Sequence, residues 1–306
     1  MNRAAIEKAL FRIKRSLTHV IGQTKFFQRW RLLEKQNQFL LFELCRANRQ
    51  RRYQLLGDNN ILEDDVLQTQ SSFDYQWHEF ATGHAMADDQ EFMSQIGSLI
   101  CKMTRLPEAW FSGKKVVDIG CGVGRFTYGF LSLGAVVTAC DHSPWALERT
   151  VKLCESYGKR LATQQVDLLK WHEKDEYDLA FCFGVVHHTG NTYLAIRNAS
   201  RKVRPGGRLF LMVYGFPETL ADFCEVNTYE KLREELRDYP FEEKKRILIE
   251  RFGPHQAHGW FDAISPRIND LLTFDEVRDL LTRLRFENIT RTMDSRNHHV
   301  VADKRT

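Results

Sequence analysis

The spacing of hydrophobic positions changes near residue 114, and the change divides the chain. Upstream of it, Ile6, Leu10, Ile13, Leu17 and Val20 recur at alternating steps of four and three. That is the stripe of an amphipathic helix over residues 5–21, with Arg12, Lys14 and Arg15 among the positions off it. A second helix is expected from about Thr24 to Arg52. Residues 57–65 (GDNNILEDD) read as a loop, because Gly, Asn and Asp favour turns over helix. From Lys114 onward, short apolar runs at 114–120, 135–141, 177–183 and 208–214 alternate with segments long enough for a helix. Residues 164–171 contain a further strand end at Asp167, and 286–293 and 298–304 read as two strands joined by a turn at Asp294–Asn297. Strand–helix alternation implies a parallel sheet with helices on both faces. The expected fold class is α/β: a doubly wound, seven-stranded sheet with a terminal antiparallel hairpin, preceded by N-terminal helices.

The fifth and sixth strands are separated by Phe216 to Arg285, far more chain than a connection needs. We expect a helical insertion over the site, with residues 216–272 as its cap. Within it, 229–253 is charged and helical and ends at Gly253. Thr273 followed three residues later by Glu276 is the signature of a capped helix start.

Composition narrows the class. Of 306 residues, 43% are hydrophobic and 12% aromatic, enough apolar surface to exclude a wholly disordered chain. No run approaches the roughly 18 apolar residues of a membrane helix. The first twenty residues carry five cations without a clean apolar core, so no secretory signal is read and a cytoplasmic location is expected. Seven cysteines without a C-x-x-C spacing read as reduced thiols. The net charge of +4 is uneven, with +10 in residues 1–56 and −6 in the remainder. We therefore divide the chain into a basic helical arm, 1–70, and a body, 71–306. The arm is suited to packing on the body or on a second copy as a homodimer. It is also suited to peripheral contact with an anionic membrane, or to binding RNA.

The chemistry concentrates in VVDIGCGVGRF, 116–126, where Gly120, Gly122 and Gly124 form a tight turn between a strand and a helix. Glycines let the backbone approach a ligand, and a helix start offers unpaired N–H groups. A dinucleotide fingerprint would want a small residue where Arg125 stands, which disfavours a nicotinamide cofactor. Asp141 ends the next strand, where a carboxylate accepts hydrogen bonds from the ribose hydroxyls of an adenosine. The alternative for Asp118 and Asp141 is ordinary strand-end capping.

With Asp167 in QQVDLLKW, YDLAFCFGVVHHTGN (177–191) and VRPGGRLFLMVYG (203–215) added, the chain resembles class I S-adenosylmethionine-dependent methyltransferases over roughly residues 73–306. It is most similar to the branch that methylates small molecules, glycans or quinone-like lipids, one offshoot of which modifies tRNA. The resemblance implies a Rossmann-like sheet, S-adenosylmethionine as cofactor and S-adenosylhomocysteine as product. It implies that Asp118, Gly120 and Gly122 hold the methionine end and that Asp141 holds the ribose. His142 and Ser143 would lie near the adenine, Asp167 would accept its amino group, and Leu168 would stack beside it. Phe183 would touch the methionine moiety.

Phe73 and Trp77, in an aromatic stretch at 71–80, resemble a lid over the cofactor, with Trp77 the contact; their spacing also suits one core-facing side of a helix. His187 and His188 are candidates for a general base, which a hydroxyl acceptor needs and which adds about 10²–10⁴-fold. Orientation alone contributes roughly 7–11 kcal/mol, so a base is not obligatory for methyl transfer. No metal site is expected. Tyr75, Tyr214, His258, Trp260 and Arg267 are candidates for lining the acceptor pocket, and His298 and His299 are read as alternating on an edge strand. The expected function is methyl transfer to a small-molecule, glycan or lipid-linked acceptor. RNA modification with the same cofactor is the alternative, and a non-catalytic cofactor-binding scaffold a third.

Overall fold

The computed structural model describes residues 63–80, 89–174 and 176–306, and helical positions 25, 28, 29 and 31–33. The chain forms two compact units, 1–60 and 61–306. In the first, the described positions are exposed and helical, within the helix expected over 24–52. The stripe at 6–20 and the Arg49–Arg52 cluster lie outside the described residues.

The second unit opens with α1 (Glu63–Glu79), which runs through the boundary placed at 70/71 and begins inside the segment read as a loop. Its first turn is Glu63, Asp64 and Asp65, and carboxylates there complement the positive end of the helix dipole. Then follow α2 (Gln90–Thr104), β1 (Lys115–Ile119), α3 (Arg125–Ser132), β2 (Val136–Asp141), α4 (Pro144–Leu153), β3 (Leu161–Gln165), β4 (Tyr177–Phe183), α5 (Thr192–Arg201) and β5 (Val203–Val213). The cap comprises α6 (Leu220–Leu236), α7 (Phe241–Phe252) and α8 (Pro254–Ile264). After it come α9 (Phe274–Arg283), β6 (Phe286–Arg291) and β7 (His298–Lys304).

The seven strands lie in the order β3-β2-β1-β4-β5-β7-β6, parallel from β3 to β5 and antiparallel at both ladders of β7. The histidines of β7 are therefore on an interior strand, not an edge: Met212 pairs with His299, Val213 with His298, and β6 takes the outside. β3 ends two residues before Asp167, which lies in the following loop. Between β4 and β5 the register jumps, Tyr177 pairing with Val203 and Leu179 with Arg208, so the Pro205–Gly206–Gly207 turn bulges out of a continuing strand.

Alternation along the strands builds the two faces. Val116, Phe181 and Phe210 point to the side covered by Ile96 and Ile100 of α2 and Phe130 of α3. Val117, Cys182 and Leu211 point to the side covered by Ile196 of α5 and Leu281 of α9. The cap has its own core of Leu232, Leu248, Phe261 and Ile264, into which Phe80 inserts. The helix expected over 229–253 is interrupted: α6 stops at Leu236 and α7 restarts after Pro240, because proline lacks the N–H a continuous helix needs. Thr273 and Glu276 form the expected capping box.

Candidate active site

A cleft opens at the carboxyl ends of β1, β2 and β4, where doubly wound folds place ligands. It holds about 1120 Å³ of empty space counted out to and including its open mouth. One wall is built from the glycine turn. Gly120 has φ +70°, and a Cβ there would sit 2.2 Å from Val185 Cγ2. A Cβ on Gly122 would lie 3.1 Å from the Trp77 ring, so α1 rests directly on the turn.

Asp141 ties this wall together. Its Oδ2 accepts the Gly122 N–H at 2.9 Å and its Oδ1 the Ser143 N–H at 3.0 Å. His142 Nδ1 lies 3.2 Å from the same Oδ1, and Asp74 of α1 faces the other ring nitrogen at 3.9 Å. Burial disfavours the charged ring, but Asp141, Asp74 and a backbone bond to Gln70 outweigh it and hold the His142 pKa above its ordinary value.

Asp118 lies behind the cleft wall. It accepts the Thr127 hydroxyl at 2.6 Å, and burial pushes its carboxyl up to about 7, with repulsion from Asp141 adding to the rise and Thr127 and Arg125 opposing it. Ser143 is also set back from the cleft; its hydroxyl caps α4 through the Ala146 N–H. Trp77, Gly120, Asp141 and His142 do line the cleft, followed by Asp167 and Leu168 after β3 and Phe183 at the end of β4.

The two adjacent histidines follow β4. They occupy a 3-10 turn, Val186–His188, with ring centroids 4.1 Å apart. His187 is fully buried between His188 and Tyr214, and both of its ring nitrogens lack a hydrogen-bond partner. Burial and the neighbouring His188 drive its pKa well down. His188 lines the cleft, and its Nδ1 lies 2.8 Å from the Ile268 carbonyl. A carbonyl only accepts, so Nδ1 carries the proton and Nε2 keeps its lone pair. That Nε2 has no protein partner, and burial lowers the His188 pKa, so the ring is a neutral base at pH 7.

The acceptor-side candidates separate. Tyr214 lines the cleft and donates to Asp262 Oδ2 at 2.6 Å. Tyr75 instead donates to Glu242 and packs on Phe241 and Phe261 in the cap core. Trp260 stacks on Phe252 at 4.0 Å, and Arg267 pairs with Asp65 at 3.2 Å. His258 sits behind Trp77, within 3.2 Å of the Gln76 amide, and burial lowers its pKa to about 4. An aromatic-rich cap needs its aromatics for its own core, and this absorbs Tyr75 and Trp260.

Two charged cleft residues were not anticipated as site residues. Arg125 opens α3, half-buried near Phe92, Phe126 and Phe183; the sequence marked it only as a misfit to another motif. Asp262 of α8 is the acidic member of the stretch before Ser265–Pro266, and that position was the available signal. Among the described residues no group of three His, Cys, Asp or Glu side chains could hold a metal ion.

Residues 116–207, from β1 to the bulge of β5, match the family model described as methyltransferase domain. The chain carries a class I S-adenosylmethionine-dependent methyltransferase domain. Around this domain it is 33% identical over 105 residues to a ubiquinone biosynthesis O-methyltransferase of Glaesserella parasuis, covering 32% of this chain and 44% of that protein. A mitochondrial protein of the same name from Schizosaccharomyces pombe is 36% identical over 104 residues, 33% of this chain and 38% of the relative. The matched segment thus spans less than half of either relative. In fold, the methyltransferase domain is similar to magnesium protoporphyrin IX methyltransferase from Synechocystis with bound S-adenosylhomocysteine (TM-score 0.51, 18% identity, 79% of this chain and 100% of the other). It is also similar to a 1,6-didemethyltoxoflavin methyltransferase from Burkholderia thailandensis (TM-score 0.50, 17% identity, 79% and 89%).

Proposed function

We propose that this protein transfers a methyl group from S-adenosylmethionine to a hydroxyl oxygen of a small-molecule, glycan or lipid-linked acceptor. The observation that carries the reading is one cleft lined by both the Asp141–Gly120 wall and His188, whose buried Nε2 has no protein partner. The names of the sequence relatives, O-methyltransferases of ubiquinone biosynthesis, support an oxygen acceptor.

The residues suit the cofactor. The turn is bare of side chains where Cβ atoms would meet Val185 and Trp77, and Asp141 offers carboxylate lone pairs beside it. Gly120 and Gly122 would hold the methionine end, Asp141 the ribose, His142, Asp167 and Leu168 the adenine, with Phe183 and Trp77 as apolar walls. When bound, S-adenosylmethionine supplies an electrophilic methyl carbon on a sulfonium. His188 takes the acceptor's hydroxyl proton at Nε2 as the oxygen becomes nucleophilic, while the Ile268 carbonyl stabilises the proton on Nδ1. Phe73, 4.9 Å from His188 in an edge arrangement, keeps water from the ring. Tyr214 and Asp262 present a polar pair to the acceptor.

Calorimetric titration of S-adenosylmethionine and S-adenosylhomocysteine into wild type and Asp141→Ala tests the cofactor half. Binding that the substitution abolishes supports the reading, and no binding to wild type overturns it. A labelled-methyl transfer screen, phenols and sugar hydroxyls before RNA, then tests the acceptor half. Transfer to RNA with steep salt dependence would replace the small-molecule reading.

A further inference from the structure

The segment Ser265–Asp270, between the cap and α9, is a strap bonded on one side to α1 and on the other to the histidine turn. On the α1 side, the Gln68 amide grips it twice: Nε2 donates to the Ser265 carbonyl and Oε1 accepts the Arg267 N–H, both at 2.9 Å. Thr69, 2% exposed, accepts the Ile268 N–H on its hydroxyl at 3.0 Å. On the other side, the Ile268 carbonyl accepts a hydrogen bond from the His188 Nδ1–H at 2.8 Å and the Asp270 N–H donates to the His187 carbonyl at 2.9 Å. Ile268 is thus held at its amide by α1 and holds His188 by its carbonyl.

We propose that Gln68 and Thr69 of α1 are positioning residues that, through the Ser265–Asp270 strap, fix the orientation and tautomer of the His188 imidazole. The helix doing this also touches the cofactor side of the cleft, with Trp77 against Gly122 and Asp74 facing His142. Seating α1 therefore aligns the base for the acceptor at the same time as it closes the wall around the cofactor. A lid that merely covered the cleft would need no side chain directed at the strap. Here three hydrogen bonds from two adjacent residues are directed at it, one from a buried hydroxyl.

The inference rests on His188 as the base, but its test does not require the acceptor. Protein labelled with nitrogen-15 histidine is examined by long-range proton–nitrogen correlation at neutral pH, with His188 assigned from the His188→Gln spectrum. In wild type, His188 shows one tautomer, protonated at Nδ1. In the Gln68→Ala/Thr69→Val variant the Nε2-protonated form rises by about tenfold, the scale of losing roughly one net hydrogen bond. Thr69→Ser, which restores the acceptor oxygen, returns the wild-type signature, whereas Thr69→Val alone moves part of the way. If the double variant misfolds, Gln68→Glu, which keeps the acceptor and removes the donor, shows the smaller shift on its own. An unchanged His188 signature in folded double variant overturns the proposal, as does a wild type already mixed between tautomers. Binding of S-adenosylhomocysteine, titrated in the same samples, separates this outcome from failure of the methyltransferase reading. That reading falls if wild type does not bind, whatever the tautomer.

Discussion

Replacing Gly120 with alanine should destabilise the fold and empty the cleft of ligand affinity through one identifiable clash. An added Cβ would lie 2.2 Å from Val185 Cγ2 and 3.2 Å from its Cβ and Cγ1, whereas ordinary contact begins at 3.4 Å. The turn or the valine must therefore move by more than an ångström. Overpacking of this kind costs about 1–3 kcal/mol. The backbone adds its own penalty, because φ at Gly120 is +70° and an L side chain in the left-handed region loses about 1–2 kcal/mol. The sum is about 2–5 kcal/mol. Val185→Ala deletes both Cγ atoms and leaves one 3.2 Å contact, so it should rescue most of the packing share and none of the backbone share. The assay is urea unfolding of wild type, both single variants and the double, read as a double-mutant cycle. A favourable coupling of about 1–2 kcal/mol is expected. Additive effects would refute the reasoning, since they would mean the two side chains never meet. Both residues line the cleft, so S-adenosylhomocysteine affinity should fall in Gly120→Ala and return in part in the double variant.

Other expectations follow from single groups. His188→Gln should lower kcat about 10²–10⁴-fold while leaving S-adenosylhomocysteine affinity unchanged, which steady-state rates and calorimetry would check together. Asp118, with its folded pKa raised from the ordinary carboxylate value to about 7, is most favourable to the fold when protonated, below its unfolded pKa. That contribution is lost as pH rises towards 7, so Asp118→Asn should gain stability relative to wild type between about pH 4 and 7, with a slope approaching about 1.4 kcal/mol per pH unit in chemical denaturation. Thr273→Ala removes the cap of α9 and should cost about 1 kcal/mol in urea unfolding without altering ligand binding.

The parts of the fold readable in advance are those where local pattern and tertiary environment agree. The strands of the sheet centre are apolar on both faces, so their runs stand out, and the glycine turn is marked because its backbone angles exclude other residues. The Asp141–Gly120 wall of the cleft follows from these, as both residues sit where strand ends must be. The cap was legible only as length. Aromatics near it serve either its core or the cleft, and spacing along the chain does not say which; Tyr75 of α1 and Trp260 of α8 went to the cap core, while Tyr214 after β5 reached the cleft. His298 and His299 were misplaced because pairing order is a property of the whole sheet. Arg125 and Gln68 escaped notice since a lone charge or amide has no period.

The place of β7 has a consequence for how the protein is made. Residues 298–304 are the last described strand along the chain, yet they lie between β5 and β6. During synthesis the chain emerges from the ribosome in order, so β5 is complete long before its antiparallel neighbour exists. Throughout that interval Leu209 to Val213 present an unpaired apolar edge, the kind of surface that recruits foreign strands. β6 cannot close that edge, since in the finished sheet it pairs with β7 alone. The nascent protein thus carries this open edge until residues 298–304 are released, and its yield in a cell should depend on chaperones that shield strand edges on the ribosome.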